Sequence, residues 1–192
     1  MKKFTQYGFW FGVLLACTPL LMFFYGGARQ FQLNRAWDEA QASQSQASAQ
    51  SSSDDSTGDA DDGLARLNIP KLNIHAMIVG DITSTALAEG PGHVPSTALP
   101  GENGNCVLAA HRNVWGSWFR DLDKLEPGDK VIVETLKQHF YYRITGKNTV
   151  LPNDTSVLKS HGHKAEITLI TCTLPVTHRI VVHGVLDHTS TT

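Results

Sequence analysis

The chain has 192 residues, room for one ordinary domain with extensions but not for two full domains. Its formal net charge of -2 comes from five aspartates between Asp54 and Asp62, since residues 64–192 carry twelve Lys or Arg against eleven Asp or Glu. No basic stripe is interleaved with aromatics, so nucleic-acid binding has no support, and Cys17, Cys106 and Cys172 are too few and too scattered for a disulfide framework.

The first element is apolar. Tyr7 to Gly27 contains no charge, and its 21 residues would span roughly 31 Å as a helix, against a bilayer core of about 30 Å. Tyr7, Trp10 and Tyr25 suit an interfacial belt, and Lys2 and Lys3 place the short N-terminus inside. The expectation is a single-pass helix in the cell membrane (residues 1–27 including the cytoplasmic tip), with the rest of the chain extracytoplasmic. Lipoprotein processing at Cys17 fits less well, because the chain stays apolar through Phe24.

Residues 28–63 form the second region, a membrane-proximal segment followed by a Ser/Gln/Asp-rich linker. Helix propensity allows a helix from Ala28 to Ala49, whereas the composition from Ser43 onward is that of a solvated spacer. Asp59-Ala60-Asp61-Asp62-Gly63 lacks the later bidentate glutamate of a calcium loop and belongs to the same spacer.

Residues 64–192 read as an all-β domain. Short β-branched runs recur at Leu67–Ile69, Ile74–Val79, Val107–Ala110, Val131–Glu134, Phe140–Thr145, Ile167–Thr171 and Ile180–Leu186. Turn clusters such as Pro91-Gly92, Pro127-Gly128-Asp129 and Pro152-Asn153-Asp154 separate them. Seven or eight short strands predict a sandwich or a closed barrel. No long amphipathic helix interrupts them, which argues against a βαβ fold.

Three residues in this domain can carry chemistry. Cys172 closes the run Thr168-Leu169-Ile170-Thr171-Cys172, so it should stand at a strand end where a thiol is anchored yet reachable. A thiol nucleophile needs a base or a stabilising cation beside it. His111 ends the run from Cys106, and Arg179 opens the run Ile180-Val181-Val182. A guanidinium fixed there could hold a carbonyl or support an oxyanion.

Thr168-Leu169-Ile170-Thr171-Cys172 matches the Thr-Leu-x-Thr-Cys signature of sortases, the transpeptidases that attach proteins to bacterial surfaces. The stretch from Gly90-Pro91-Gly92-His93-Val94-Pro95 to Ala109-Ala110-His111-Arg112 also resembles the sortase segment leading to its histidine, and is most like class D. The resemblance covers residues 64–188. It implies an eight-stranded β-barrel with short helices and a catalytic set of Cys172, His111 and Arg179, with substrate contacts at Thr171, Ala110 and Leu169. It further implies cleavage of a Leu-Pro-x-Thr-Gly/Ala-like sorting motif and transfer to an amine on a cell-wall precursor or pilin lysine. No cofactor is implied. Asn113 departs from the Asp common in class D at that place, and the segment between Cys172 and Arg179 is short.

Other readings compete. Papain-like chains place Cys before His, and the caspase and L,D-transpeptidase signatures around the cysteine are absent. A cysteine hydrolase, or a non-catalytic β-domain for surface binding, would fit the same strand pattern. His161, His163, His178 and His183 lack a strict zinc spacing and read as loop and surface residues. Cys106, five positions before His111 on an extended strand, lies about 16 Å from it and should be a buried free thiol. Leu174-Pro175-Val176-Thr177 matches the sorting motif over four residues, but reads as a rigid turn.

Overall fold

The computed structural model describes residues 27–43, 65–114, 116–162 and 164–191. The apolar segment expected to span the membrane and the linker aspartates lie outside the described residues, as does Cys17. Among the described residues no helix is long and apolar enough to cross a membrane.

Period-two alternation builds the barrel. Eight strands, β1 (Ala65–Ile69), β2 (Ile74–Ile78), β3 (Gly92–His93), β4 (Gly104–Ala109), β5 (Lys130–Thr135), β6 (Gln138–Val150), β7 (Ala165–Cys172) and β8 (Arg179–Thr191), form one sheet in the order β2-β1-β5-β6-β8-β7-β4-β3. Every second residue enters one core: Leu67 and Ile69, Ala76 and Ile78, Cys106 and Leu108, Val131 and Val133, Ile167 and Leu169, Ile180 and Val182. Phe119, Leu122 and Leu125, from the β4–β5 connection, are fully buried in the same core.

The sheet curls until its two edge strands meet. Val79 donates its N–H to Pro91 O at 2.8 Å, and His93 N–H returns to Val79 O at 2.8 Å. This closure is one isolated bridge between Val79 and Gly92, just beyond the end of β2. β3 has only two residues, too few for a sequence signal, and is the strand missing from the run-based reading.

The described part of the segment read as a membrane-proximal spacer does more than connect. Residues 27–43 form a helix, α1, that lies against β1 and β2. Met77 faces outward from β2 yet is fully buried, because Trp37 and Leu136 enclose it. The Gln30 amide replaces a missing strand. Its Nε2 donates to Met77 O at 3.1 Å and to Glu89 O at 2.7 Å, while its Oε1 accepts from Met77 N–H at 2.9 Å. Glu89 ends the short helix α2 (Ser84–Glu89), and Gly90 follows it. A Cβ at Gly90 would lie 2.5 Å from Gln30 Nε2, so the close approach needs glycine. Arg66 covers the Trp37 ring at 5.0 Å, and Arg29 pairs with Glu89 at 3.4 Å.

If α1 is part of the fold, Trp37→Ala should cost about 3–5 kcal/mol of unfolding free energy by chemical denaturation. Phe31, 62% exposed on the same helix, should change stability by no more than about 0.5 kcal/mol when replaced by Ala. Equal effects from the two would mean that the helix does not dock.

Candidate active site

The centre of the site is set by a register. β4 and β7 run parallel with Ala109 opposite Ile170, and β7 and β8 run antiparallel with Cys172 opposite Arg179. The β4–β7 pairing continues past the last ladder residue. Ala110 N–H donates to Ile170 O at 3.1 Å, and Thr171 Oγ1 donates to Ala110 O at 2.8 Å. One step further, His111 comes level with Cys172.

Parity decides which way these side chains point. Ala110, Thr171 and Ile180 are buried on the inner side, so His111, Cys172 and Arg179, one residue away on each segment, project from the outer face. Three adjacent strands thus carry His, Cys and Arg side by side in one row. With neighbouring strands about 4.8 Å apart, the thiol stands between an imidazole and a guanidinium. The sequence runs put each residue at a strand end, but only the β4–β7–β8 order makes them neighbours.

Below that row lie three more: Ala109, Ile170 and Val181; then Val107, Thr168 and His183; then Asn105, Glu166 and Val185. Ala109 and Ile170 remain half-buried, whereas Val107, Thr168 and Val181 are enclosed. The half-exposed apolar strip beside the Cys172 row is a floor on which an extended peptide can lie.

The substrate contacts expected of Thr171, Ala110 and Leu169 need correction. All three side chains face the barrel interior, with exposures of 2%, 5% and 0%. Leu169 packs in the core, and Thr171 spends its hydroxyl on Ala110. They hold the row in place, and the outward residues Ala109 and Ile170 offer the accessible surface instead.

The electrostatics favour a neutral imidazole. Burial pushes the His111 pKa below its ordinary 6.5, and Nε2 is enclosed with no partner among the described residues. Phe119 N–H holds the His111 carbonyl at 3.1 Å, and Arg112 pairs with Asp123 at 2.9 Å, so the residues flanking the ring are fixed while its buried nitrogen stays unpaired. Arg179 contacts His178 O at 3.5 Å and meets no carboxylate within ion-pair distance among the described residues. Its charge is free to face a substrate.

The β7–β8 turn is closed on itself. Thr173 Oγ1 donates to Pro175 O at 2.6 Å, and His178 N–H donates to Thr173 Oγ1 at 3.0 Å. Leu174 and Val176 of the motif-like stretch point into solvent at 56% and 55% exposure. Cys106 is a free, enclosed thiol, which burial pushes up to about 12. Among the described residues no three-ligand metal group gathers. His161 and His183 do approach, with ring centroids 6.1 Å apart, while His163 lies outside the described residues.

A family model described as "Sortase domain" matches residues 67–187. The chain belongs to the sortase family. Sortase SrtE1 of Streptomyces coelicolor is 42% identical over 99 residues, 46% of this chain and 28% of that protein. The chain therefore spans well under half the length of that curated relative. The structure of a Clostridium perfringens Sortase D5 transpeptidase superposes with a TM-score of 0.62 at 37% identity, covering 66% of this chain and 80% of that one. A second Clostridium perfringens structure, sortase C with the C-terminal cell wall sorting motif, has a TM-score of 0.60 at 32% identity over 64% of this chain and 69% of that one. Together they match the eight-stranded barrel of this sortase.

Because burial lowers the His111 pKa, its sign in stability is definite. At pH above about 6.5 neither state binds the proton, so the group costs nothing. As pH falls below that, the unfolded chain takes a proton that native His111 resists, and stability drops until the lowered value is passed. His111→Gln should therefore lose less stability than the wild type between about pH 8 and pH 5, measured as the difference in Tm. Parallel curves would remove the burial argument.

Proposed function

We propose that this sortase is a cysteine transpeptidase that uses Cys172, His111 and Arg179. The observation that carries the reading is the single row of these three side chains across β4, β7 and β8. Neutral His111 takes the thiol proton as Cys172 Sγ attacks the scissile carbonyl of a sorting motif. Arg179 faces the developing oxyanion. The imidazolium then protonates the leaving amine, and a thioacyl intermediate remains on Cys172. An incoming amine loses a proton to His111 as it displaces the thiolate, giving a new amide rather than a free acid.

The substrate is a Leu-Pro-x-Thr-Gly/Ala-like signal at the C-terminus of another protein, in line with the structure of Clostridium perfringens sortase C with the C-terminal cell wall sorting motif. The acceptor is an amine on a cell-wall precursor or pilin lysine. Class D is the proposed branch, supported by the Sortase D5 match and the segment around His93. The uncharged run Tyr7–Gly27 anchors the chain in the cell membrane with the barrel outside, and residues 44–63 act as spacer.

Incubating the chain with a panel of Leu-Pro-x-Thr-Gly/Ala peptides and an amine tests the reading by mass spectrometry. The expected result is a thioester on Cys172, an amine-ligated product, and neither with Cys172→Ala. His111→Ala should lower the rate roughly a hundred- to ten-thousandfold, and Arg179→Ala about a hundred- to a thousandfold. Release of the free acid alone would make the protein a hydrolase. Labelling at Cys172 that no peptide can compete away would leave a binding domain.

A further inference from the structure

The helix α1 does more than cover β2. Its first described residue, Gly27, is also the last of the uncharged run Tyr7–Gly27 proposed as the membrane anchor. Gln30 stands three residues further on, about 4.5 Å along a helix. The polar headgroup layer on each side of a bilayer's apolar core is about 5–7 Å thick. A residue so close to the end of the anchor stands at headgroup level whatever the tilt of the helix.

Gln30 is also the residue that grips the barrel. Its side-chain amide bonds both backbone groups of Met77 and the carbonyl of Glu89, and Gly90 packs against it. Leu33, Trp37 and Ala40 continue the same buried stripe at helical spacing, and Arg29 pairs with Glu89 at 3.4 Å. The end of β2, α2 and Gly90 therefore stand one glutamine side chain from the point where the chain leaves the apolar core. Gly92, two extended residues beyond Gly90, pairs with Ala109 of β4. Steps of about 3.3 Å along a strand and about 4.8 Å across the sheet put His111 within about 20 Å of Gly90. Beside this docked stripe, the first turns of α1 carry Phe31, 62% exposed, with the Arg35 guanidinium 5.5 Å from its ring centre. An exposed aromatic four residues past an apolar run suits the interface of bilayer and water.

We infer that the first turns of α1 and the β2–α2–β3 seam form a face that rests on the lipid headgroups, with Phe31 among them. The height of the barrel is then set by the grip of Gln30. Residues 44–63, twenty in all, would as a flexible tether let the barrel range over about 25 Å. With α1 docked that freedom is gone, and the row of His111, Cys172 and Arg179 keeps one short distance from the membrane. The inference rests on the anchor reading of Tyr7–Gly27, whereas the docking of α1 on β2 does not.

Photocrosslinking of the full chain tests the face, in vesicles of equal parts phosphatidylethanolamine and phosphatidylglycerol. Benzoylphenylalanine replaces Phe31, Ala88 on α2, or Leu151, which is 58% exposed just past β6, across the sheet order from the seam. Because a held face meets lipid at a far higher effective concentration, mass spectrometry should find adducts at Phe31 and Ala88 about tenfold above those at Leu151. Gln30→Leu combined with Trp37→Ala releases α1. Adducts at Ala88 should then fall to the Leu151 level while those at Phe31 persist, since Phe31 follows the anchor and Ala88 follows the grip. Cys106, enclosed in the barrel, should stay shielded from a thiol reagent in that variant, as the control for folding. Wild-type adducts at Ala88 no more abundant than at Leu151 would overturn the inference. So would adducts at Ala88 that survive the release of α1, or that join a second copy of the chain in place of lipid. Extraction of the chain from the vesicles by alkaline carbonate would sink the anchor reading itself. Retention with an unlabelled Ala88 would sink only the resting face.

Discussion

The parallel pairing of β4 with β7 is the constraint on which the site depends. Because strand side chains alternate, a slip of one residue would turn Cys172 inward and Thr171 outward, and would move His111 off the row. The core opposes that slip: Cys106, Leu108 and Ala110 on one strand, and Ile167 and Leu169 on the other, all need the interior. Thr171 adds a directional lock by bonding Ala110 O where the regular ladder has ended. The position of Cys172 is thus a consequence of core packing one residue away. Antiparallel β8 completes the row from the other side of β7, since the tight Thr173–His178 turn returns the chain so that Arg179 opposes Cys172.

The two faces of this sheet meet different demands. Inside, the barrel is apolar and closed by Phe119, Leu122 and Leu125. Outside, apolar outward residues stay dry only where another segment covers them. Met77 lies beneath Trp37, whereas Val107 and Val181 are buried on the face crossed by the β6–β7 connection. Ala109 and Ile170 remain half-open beside Cys172. An accessible strip in an otherwise covered outer face is where a substrate can add its own burial without competing with the fold.

Both covering segments are held by side-chain amides that satisfy backbone groups. Gln30 takes the N–H and C=O of Met77 on the free edge of β2, as a neighbouring strand would. Asn105 holds the carbonyls of Val157 and Lys159. In each place an unpaired backbone group would otherwise be buried, at a cost comparable to a lost hydrogen bond. Amides suit the task because they carry a donor and an acceptor side by side without charge.

Much was legible in the residues alone. β-Branched runs bounded by Gly, Pro and Asp locate seven of the eight strands, and runs ending at His111 and Cys172 or opening at Arg179 mark those residues as strand-end groups. Period-two patterning needs only the chain itself. The two-residue β3 carries no pattern. The ends of β6 and β8 are stabilised by each other rather than by propensity, as Lys147 and Asn148 opposite Val182 and Val181 illustrate. Trp37 and Gln30 look like ordinary members of a polar segment until β2 gives them a partner. The sequence by itself determined the barrel's inner face and which side chains stand at the ends of its strand runs, because burial parity and residue chemistry are local. Only the tertiary structure decided that His111, Cys172 and Arg179 share one row, and that Leu169, Ala110 and Thr171 face away from it. Strand order and register arise from contacts between residues far apart in the chain, and no local pattern encodes them.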